Sequence, residues 1–154
     1  MTRVSVRPRS IALAETAPVR VVTHAVPGNP AKVLESILSD LVARVEGARD
    51  AALADRNGLP IATASVQQIG LDLASAMSAL IVHAALRVLE EFGPDRLQVA
   101  VLEGSRVRIL VCEVSEGVGS LILVTDTDAN LALAKMELLR AAMQITTIID
   151  LDVL

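Results

Sequence analysis

The chain has 154 residues and a mass of 16.2 kDa, a length suited to one domain that buries most of the surface its unfolded form exposes. Apolar residues make up 53% of it, yet Phe92 is its only aromatic residue, so the core must be aliphatic. Residues 1–24 carry Arg3, Arg7, Arg9 and Arg20 against Glu15, a net +3, while the remainder holds 10 basic and 17 acidic residues, a net −7; an acidic body without aromatic stacking platforms excludes a nucleic-acid-binding core.

Residues 1–28 show no helical periodicity, and Ala25-Val26-Pro27-Gly28-Asn29-Pro30 is punctuated like a linker. The run Val19-Arg20-Val21-Val22-Thr23-His24 alternates weakly and could add a strand. The segment reads mainly as an extended, basic tail, with the folded domain spanning residues 29–154. No apolar run of signal-peptide length precedes a small-residue cleavage site, so secretion is not expected.

Asn29-Pro30 opens a helix, Asn29 as its cap and Pro30 in the first turn, where a missing N–H costs nothing. Leu34, Ile37, Leu38, Leu41 and Val45 follow at helical spacing, and Gly47 supplies the stop of a helix over about 30–45. Residues 48–55 and 59–64 then flank Asn57-Gly58, the strongest short hairpin signal, and become the first two strands, joined by a type I′ turn with positive φ at both central residues. Pro60 has no N–H for a ladder, which places the second strand at a sheet edge.

A second helix runs from Leu71 to Phe92 and is closed by Gly93-Pro94. At about 100° per residue, Asp72, Ala76, Ala79, His83, Arg87 and Glu90 share one narrow stripe, and apolar residues fill a much wider arc. A helix this apolar is covered on more than one side, by the sheet and by another subunit. Its uncharged stretch, Leu73–Leu86, falls short of the roughly 20 residues a bilayer span requires and contains Ser75, Ser78 and His83, so membrane insertion is not expected.

Three further strands are predicted at Arg96–Glu103, Arg106–Val114 and Val118–Thr125. The fourth of the five places Arg106 and Arg108 opposite Val107, Ile109 and Val111, as a half-exposed strand does. The fifth contains Leu121-Ile122-Leu123-Val124, apolar on both faces, and belongs in the middle of the sheet. Thr127-Asp128-Ala129-Asn130 offers caps for a last helix whose apolar face is Leu131, Leu138 and Ile145, flanked by Ala134, Ala141 and Ile148. The order α-β-β-α-β-β-β-α with hairpin connections gives an α+β fold and a largely antiparallel sheet.

Groups capable of chemistry are sparse. His24 lies in the tail and His83 on the narrow stripe of the second helix, and no nucleophile and acid converge on either in the pattern. Cys112, the only cysteine, cannot form an internal disulfide and reads as a small core residue, in keeping with a reducing cytoplasm. Asp126 and Asp128 flank a helix start and read as caps before they read as metal ligands. No glycine-rich phosphate loop occurs. The expectation is a binding protein, not an enzyme, with no cofactor and no metal.

Gly47-x-x-x-Ala51-x-x-x-Asp55-x-x-Gly58-Leu59-x-Ile61-Ala62, the alanine-rich second helix, "LQVAVLEGSRVRILVCEV" (Leu97 to Val114) and the Ala129-Asn130-Leu131 opening of the last helix together resemble the Roadblock family. These are the dynein light-chain type proteins and their bacterial and archaeal relatives, among them MglB-like regulators of small Ras-like GTPases. The resemblance covers about residues 31–150. It implies a five-stranded antiparallel sheet in the order 2-1-5-4-3, with helices 1 and 3 on one face and helix 2 on the other. It also implies a dimer through the third strand and the second helix, with Met77, Ile81, Val88, Leu97, Val99 and Val101 as interface candidates. A small Ras-like GTPase lying across the paired helices would meet Asp72, Ala76, Ala79, His83 and Arg87. The implied function is a cytoplasmic, homodimeric regulator or scaffold of such a GTPase, by activation, exchange or docking; the alternative is a structural adaptor of a motor or polarity complex.

Overall fold

The computed structural model describes residues 20–23, 29–66 and 70–152. The rest of the predicted tail, His24 included, lies outside the described residues. The elements in chain order are β1 (Arg20–Thr23), α1 (Asn29–Arg44), β2 (Ala48–Asp55), β3 (Pro60–Ser65), α2 (Leu71–Glu90), β4 (Ala100–Glu103), β5 (Val107–Val114), β6 (Gly119–Asp126) and α3 (Leu131–Asp152). The five predicted strands are β2 to β6. They form an antiparallel sheet in the order β3-β2-β6-β5-β4, the expected 2-1-5-4-3, with α1 and α3 on one face and α2 on the other.

A sixth strand corrects the placement of the outer edge. Arg20–Thr23 pairs antiparallel with β3, Arg20 opposite Ser65 and Thr23 opposite Ala62, so β3 is not outermost. Pro60 withdraws one donor, at the first position of β3, where it sits opposite Ala54 beside an irregularity in the register. Ile61 to Ser65 keep theirs, and those are the residues β1 can use.

The larger core lies under α1 and α3. Leu38, Leu41 and Val45 of α1 and Leu138 and Ile145 of α3 pack with Leu53, Leu110, Leu121 and Leu123 of the sheet. The continuous apolarity of β6 has the expected cause: Leu121 and Leu123 face α1 and α3, Ile122 faces α2, and the strand lies between β2 and β5. By contrast β5 is not half-exposed. Arg108, read from the sequence as a surface residue, is only 8% exposed; it shares its face of the strand with Leu110 and Cys112, and hydrogen bonds satisfy its guanidinium.

The turn at Asn57-Gly58 differs from the type expected of it. At Asp55-Arg56-Asn57-Gly58-Leu59, only Gly58 has positive φ (+82°); its N–H donates to Asp55 O at 2.9 Å, and Asp55 N–H donates to Leu59 O at 2.8 Å. That is a three-residue loop with a glycine bulge, not type I′. The Asp55 carboxylate fixes it by accepting from Asn57 N–H at 2.8 Å and Leu59 N–H at 2.9 Å. Consecutive positive φ occurs instead between β5 and β6, at Ser115, Glu116 and Gly117, where Val118 N–H donates to Ser115 O at 3.1 Å.

Candidate interaction surface

The way α2 meets the sheet decides which of its faces is left for other molecules. The contact is made by small residues: Ser75 and Ser78 are fully buried and Ala79 nearly so, above Ala52 and Ser120 of the sheet. Ser78 Oγ donates to Ser75 O at 2.7 Å, and its distance of 2.7 Å to Ser120 Oγ then makes Ser120 the donor in that pair. Such side chains let helix and sheet approach closely. A Cβ on Gly58 would lie 2.7 Å from Ala76 Cα and 2.9 Å from Ala76 O, so the β2–β3 turn is pressed against the helix backbone. Leu71 and Val82 add apolar contacts with Val111 and Ile122.

Because serines occupy the buried side, longer apolar side chains are left outside. Leu73 is 66% exposed, Leu80 57% and Val88 60%, and with Met77 and Ala84 they form one stripe at helical spacing. Beside it runs a more polar stripe of Asp72, Ala76, His83 and Arg87, all exposed. Phe92, two residues past the helix, is 88% exposed. On length and composition alone α2 could cross a bilayer, but it is a sheet-packed helix with an uncovered apolar stripe.

The second component is the outer edge of β4. Among the described residues no strand pairs with that side, and Leu102 is exposed there. The strand is four residues long; residues 96–99, predicted as part of it, run alongside without a ladder to β5. Arg108 holds its far end. The guanidinium donates from Nε to Glu103 Oε1 at 2.8 Å, from Nη2 to the same oxygen at 2.6 Å and to Thr127 O at 2.9 Å, and from Nη1 to Ala129 O at 2.8 Å. One buried cation therefore ties the β4 terminus to the loop that opens α3.

Among the interface candidates read from the sequence, Met77 and Val88 are exposed on the apolar stripe. Ile81 is half-buried and packs inward with Val82 and Ile122. Leu97 is half-buried on the α2 side of the sheet, and Val99 and Val101 pack toward the α1 and α3 side, so β4 presents backbone at its edge. Of the partner-facing candidates, Asp72, Ala76, His83 and Arg87 are exposed, whereas Ala79 is 8% exposed and turns toward the sheet. Leu73, Leu80 and Ala84 were missed. Their signal was the interruption of the opposite arc by Ser75 and Ser78, which marks the close contact with the sheet.

Groups with possible chemistry are spread out. His83 borders a narrow crevice with Asp55, Arg56 and Glu113 between the β2–β3 and β5–β6 turns. Cys112 is buried, and that burial, with a smaller contribution from the charge of Glu113, pushes its thiol from the ordinary 9.0 up to about 12. Asp126 is ion-paired with Arg49, and the cap of α3 is Asn130, whose Oδ1 accepts from Leu133 N–H at 3.0 Å. Among the described residues no group of three or more His, Cys, Asp and Glu side chains is placed to hold a metal ion.

The layered arrangement and the uncovered side formed by α2 and β4 can be set against known proteins. Residues 34–126 match the family model described as Roadblock/LC7 domain, more than half of the chain. The chain belongs to the Roadblock/LC7 family. An uncharacterized protein of Methanocaldococcus jannaschii, MJ1340, is 29% identical to this Roadblock chain over 102 residues, 66% of this chain and 88% of that one. A solved structure titled "MglB with tetrameric arrangement" is 28% identical with a TM-score of 0.73, covering 80% of this chain and 93% of that chain. The gliding protein MglB of Thermus thermophilus is 27% identical with a TM-score of 0.72, over 80% and 93% of the two chains.

Proposed function

We propose that this Roadblock domain is a homodimeric, non-enzymatic regulator or scaffold of a small Ras-like GTPase in the cytoplasm. The observation that carries the dimer is the exposed apolar stripe of α2, Leu73, Met77, Leu80 and Val88, beside the outer edge of β4, with which no strand pairs among the described residues. An isologous pairing of β4 edges continues the sheet across a two-fold axis and brings the two α2 helices together, so each stripe covers the other. Apolar patches of this kind on soluble domains mark partner surfaces. The role toward a GTPase rests on membership of the family and on the likeness to MglB structures.

In such a dimer the polar stripe of Asp72, Ala76, His83 and Arg87 remains at the surface next to the helix seam and supplies the charged contacts to the GTPase. The test uses the Ras-like GTPase encoded nearest to this gene, with hydrolysis and nucleotide exchange measured with and without this protein. A change of several-fold in either rate is expected, reduced in Arg87→Glu without a change in molar mass. Binding with both rates unchanged selects the scaffold role. Absence of binding, with both rates unchanged, overturns the GTPase reading and leaves the adaptor of a larger complex.

A further inference from the structure

We infer that the outer edge of β3 is a strand-docking site, that Arg20–Thr23 is its resident occupant, and that this strand is exchangeable with the same segment of a second copy. The inference does not rest on the GTPase reading or on the β4 dimer.

It starts from the topology. The sheet that residues 34–126 require ends at β3, and β1 comes from outside that span to add four further residue pairs: Arg20 with Ser65, Val21 with Ala64, Val22 with Thr63 and Thr23 with Ala62. Each inner strand is paired on both sides, whereas among the described residues β1 pairs only with β3. The edge it covers is built for backbone recognition. Ala62, Thr63, Ala64 and Ser65 carry small side chains that are buried, so an incoming strand is held chiefly by N–H and C=O groups, which any extended segment supplies.

Two further features favour exchange. The connection from Thr23 to α1 contains Pro27 and Gly28 and is followed by Pro30, a composition that does not continue a strand or a helix. The strand itself is only four residues long, held to β3 by four residue pairs and lying against α1. A short edge strand of this kind blunts the sheet against open-ended association while it is seated. Released, it leaves the outward-facing backbone groups along Ala62 to Ser65, those of every second residue, open to a new strand, and the strand of a second copy has the sequence to fill them. The consequence is a second, concentration-dependent mode of association on the side of the sheet opposite β4.

The probe is a fluorescent synthetic peptide with the sequence of residues 17–26, added to the full-length protein. Val21→Pro/Val22→Pro unseats the resident strand, because of two adjacent strand residues one must direct its backbone groups at β3. The variant should bind the peptide at least tenfold more tightly than the wild type, and a peptide carrying both prolines should bind neither. A cross-strand disulfide in Val22→Cys/Thr63→Cys locks the strand at an observed pair and should abolish peptide binding until it is reduced; buried Cys112 stays out of the exchange. Amide exchange in β2 and β6 reports that each variant keeps the fold. Equal peptide affinity in wild type and proline variant, no binding to a folded proline variant, or binding unaffected by the disulfide would each overturn the inference.

Discussion

Replacing Gly58 by alanine tests how closely the β2–β3 turn is pressed onto α2. Two costs can be separated. Gly58 has φ of +82°, where an L-residue pays about 1 to 2 kcal/mol. Its new Cβ would also lie 2.7 Å from Ala76 Cα and 2.9 Å from Ala76 O, backbone atoms that no rotamer change can move, and relieving an overpacked contact of this kind costs about 1 to 3 kcal/mol. The expected loss is about 2 to 5 kcal/mol, a large part of the roughly 5 to 15 kcal/mol that holds a domain together. Gly117→Ala is the matched control: φ is +85°, but the nearest atom, Glu113 Oε1, is 4.0 Å away, so only the backbone cost applies. Urea unfolding of both variants gives the difference directly. Losses within about 0.5 kcal/mol of each other would refute the close approach of turn and helix.

Arg108→Met should cost about 2 to 4 kcal/mol, since Thr127 O and Ala129 O lose a charged donor, and amide exchange at Ala100–Glu103 should quicken because the end of β4 is no longer tied down. Ser75→Ala should be neutral or slightly stabilising in thermal unfolding, because its buried Oγ has no hydrogen-bond partner; a loss above about 1 kcal/mol would mean that the hydroxyl is bonded. The raised thiol pKa of Cys112 fixes a pH window. The folded state holds the neutral thiol up to about pH 12 while the unfolded state ionises from 9.0, so stability from this group is complete below pH 9 and declines as pH rises toward 12. The slope approaches about 1.4 kcal/mol per pH unit within that window. No tyrosine titrates alongside it, and Cys112→Ala should flatten the profile; parallel profiles for the two proteins would contradict the assignment.

Most of the fold could be read from the chain because local signals agreed with one another. The apolar run of β6 located the centre of the sheet, Gly47 and Gly93-Pro94 closed helices, and Asn57-Gly58 located a hairpin. What escaped depended on contacts between elements distant in sequence or on side-chain hydrogen bonds that a turn motif does not specify. Arg108 alternates like a surface residue, and its burial is made tolerable by the Glu103 carboxylate together with the carbonyls of Thr127 and Ala129, brought over it by the loop before α3. The Asn57-Gly58 signal specified a turn but not its type, which Asp55 settled through its side-chain hydrogen bonds. For α2 the expected polar stripe includes Ala79, but a sheet face of Ala52 and Ser120 admits only small residues, so Ser75, Ser78 and Ala79 lie against it. With those small residues inside, Leu73 and Leu80 stand at the surface.

The central claim is that this α2 stripe is an interface, and molar mass in solution tests it most directly. Light scattering on the full chain at micromolar concentration should give twice the 16.2 kDa of one copy. Leu80→Glu, which places a charge in the middle of the exposed stripe without touching the sheet contact, should return it to one copy with the fold intact by circular dichroism. A wild-type protein that stays at the mass of one copy across that range, or a Leu80→Glu variant that remains a dimer, would contradict the account.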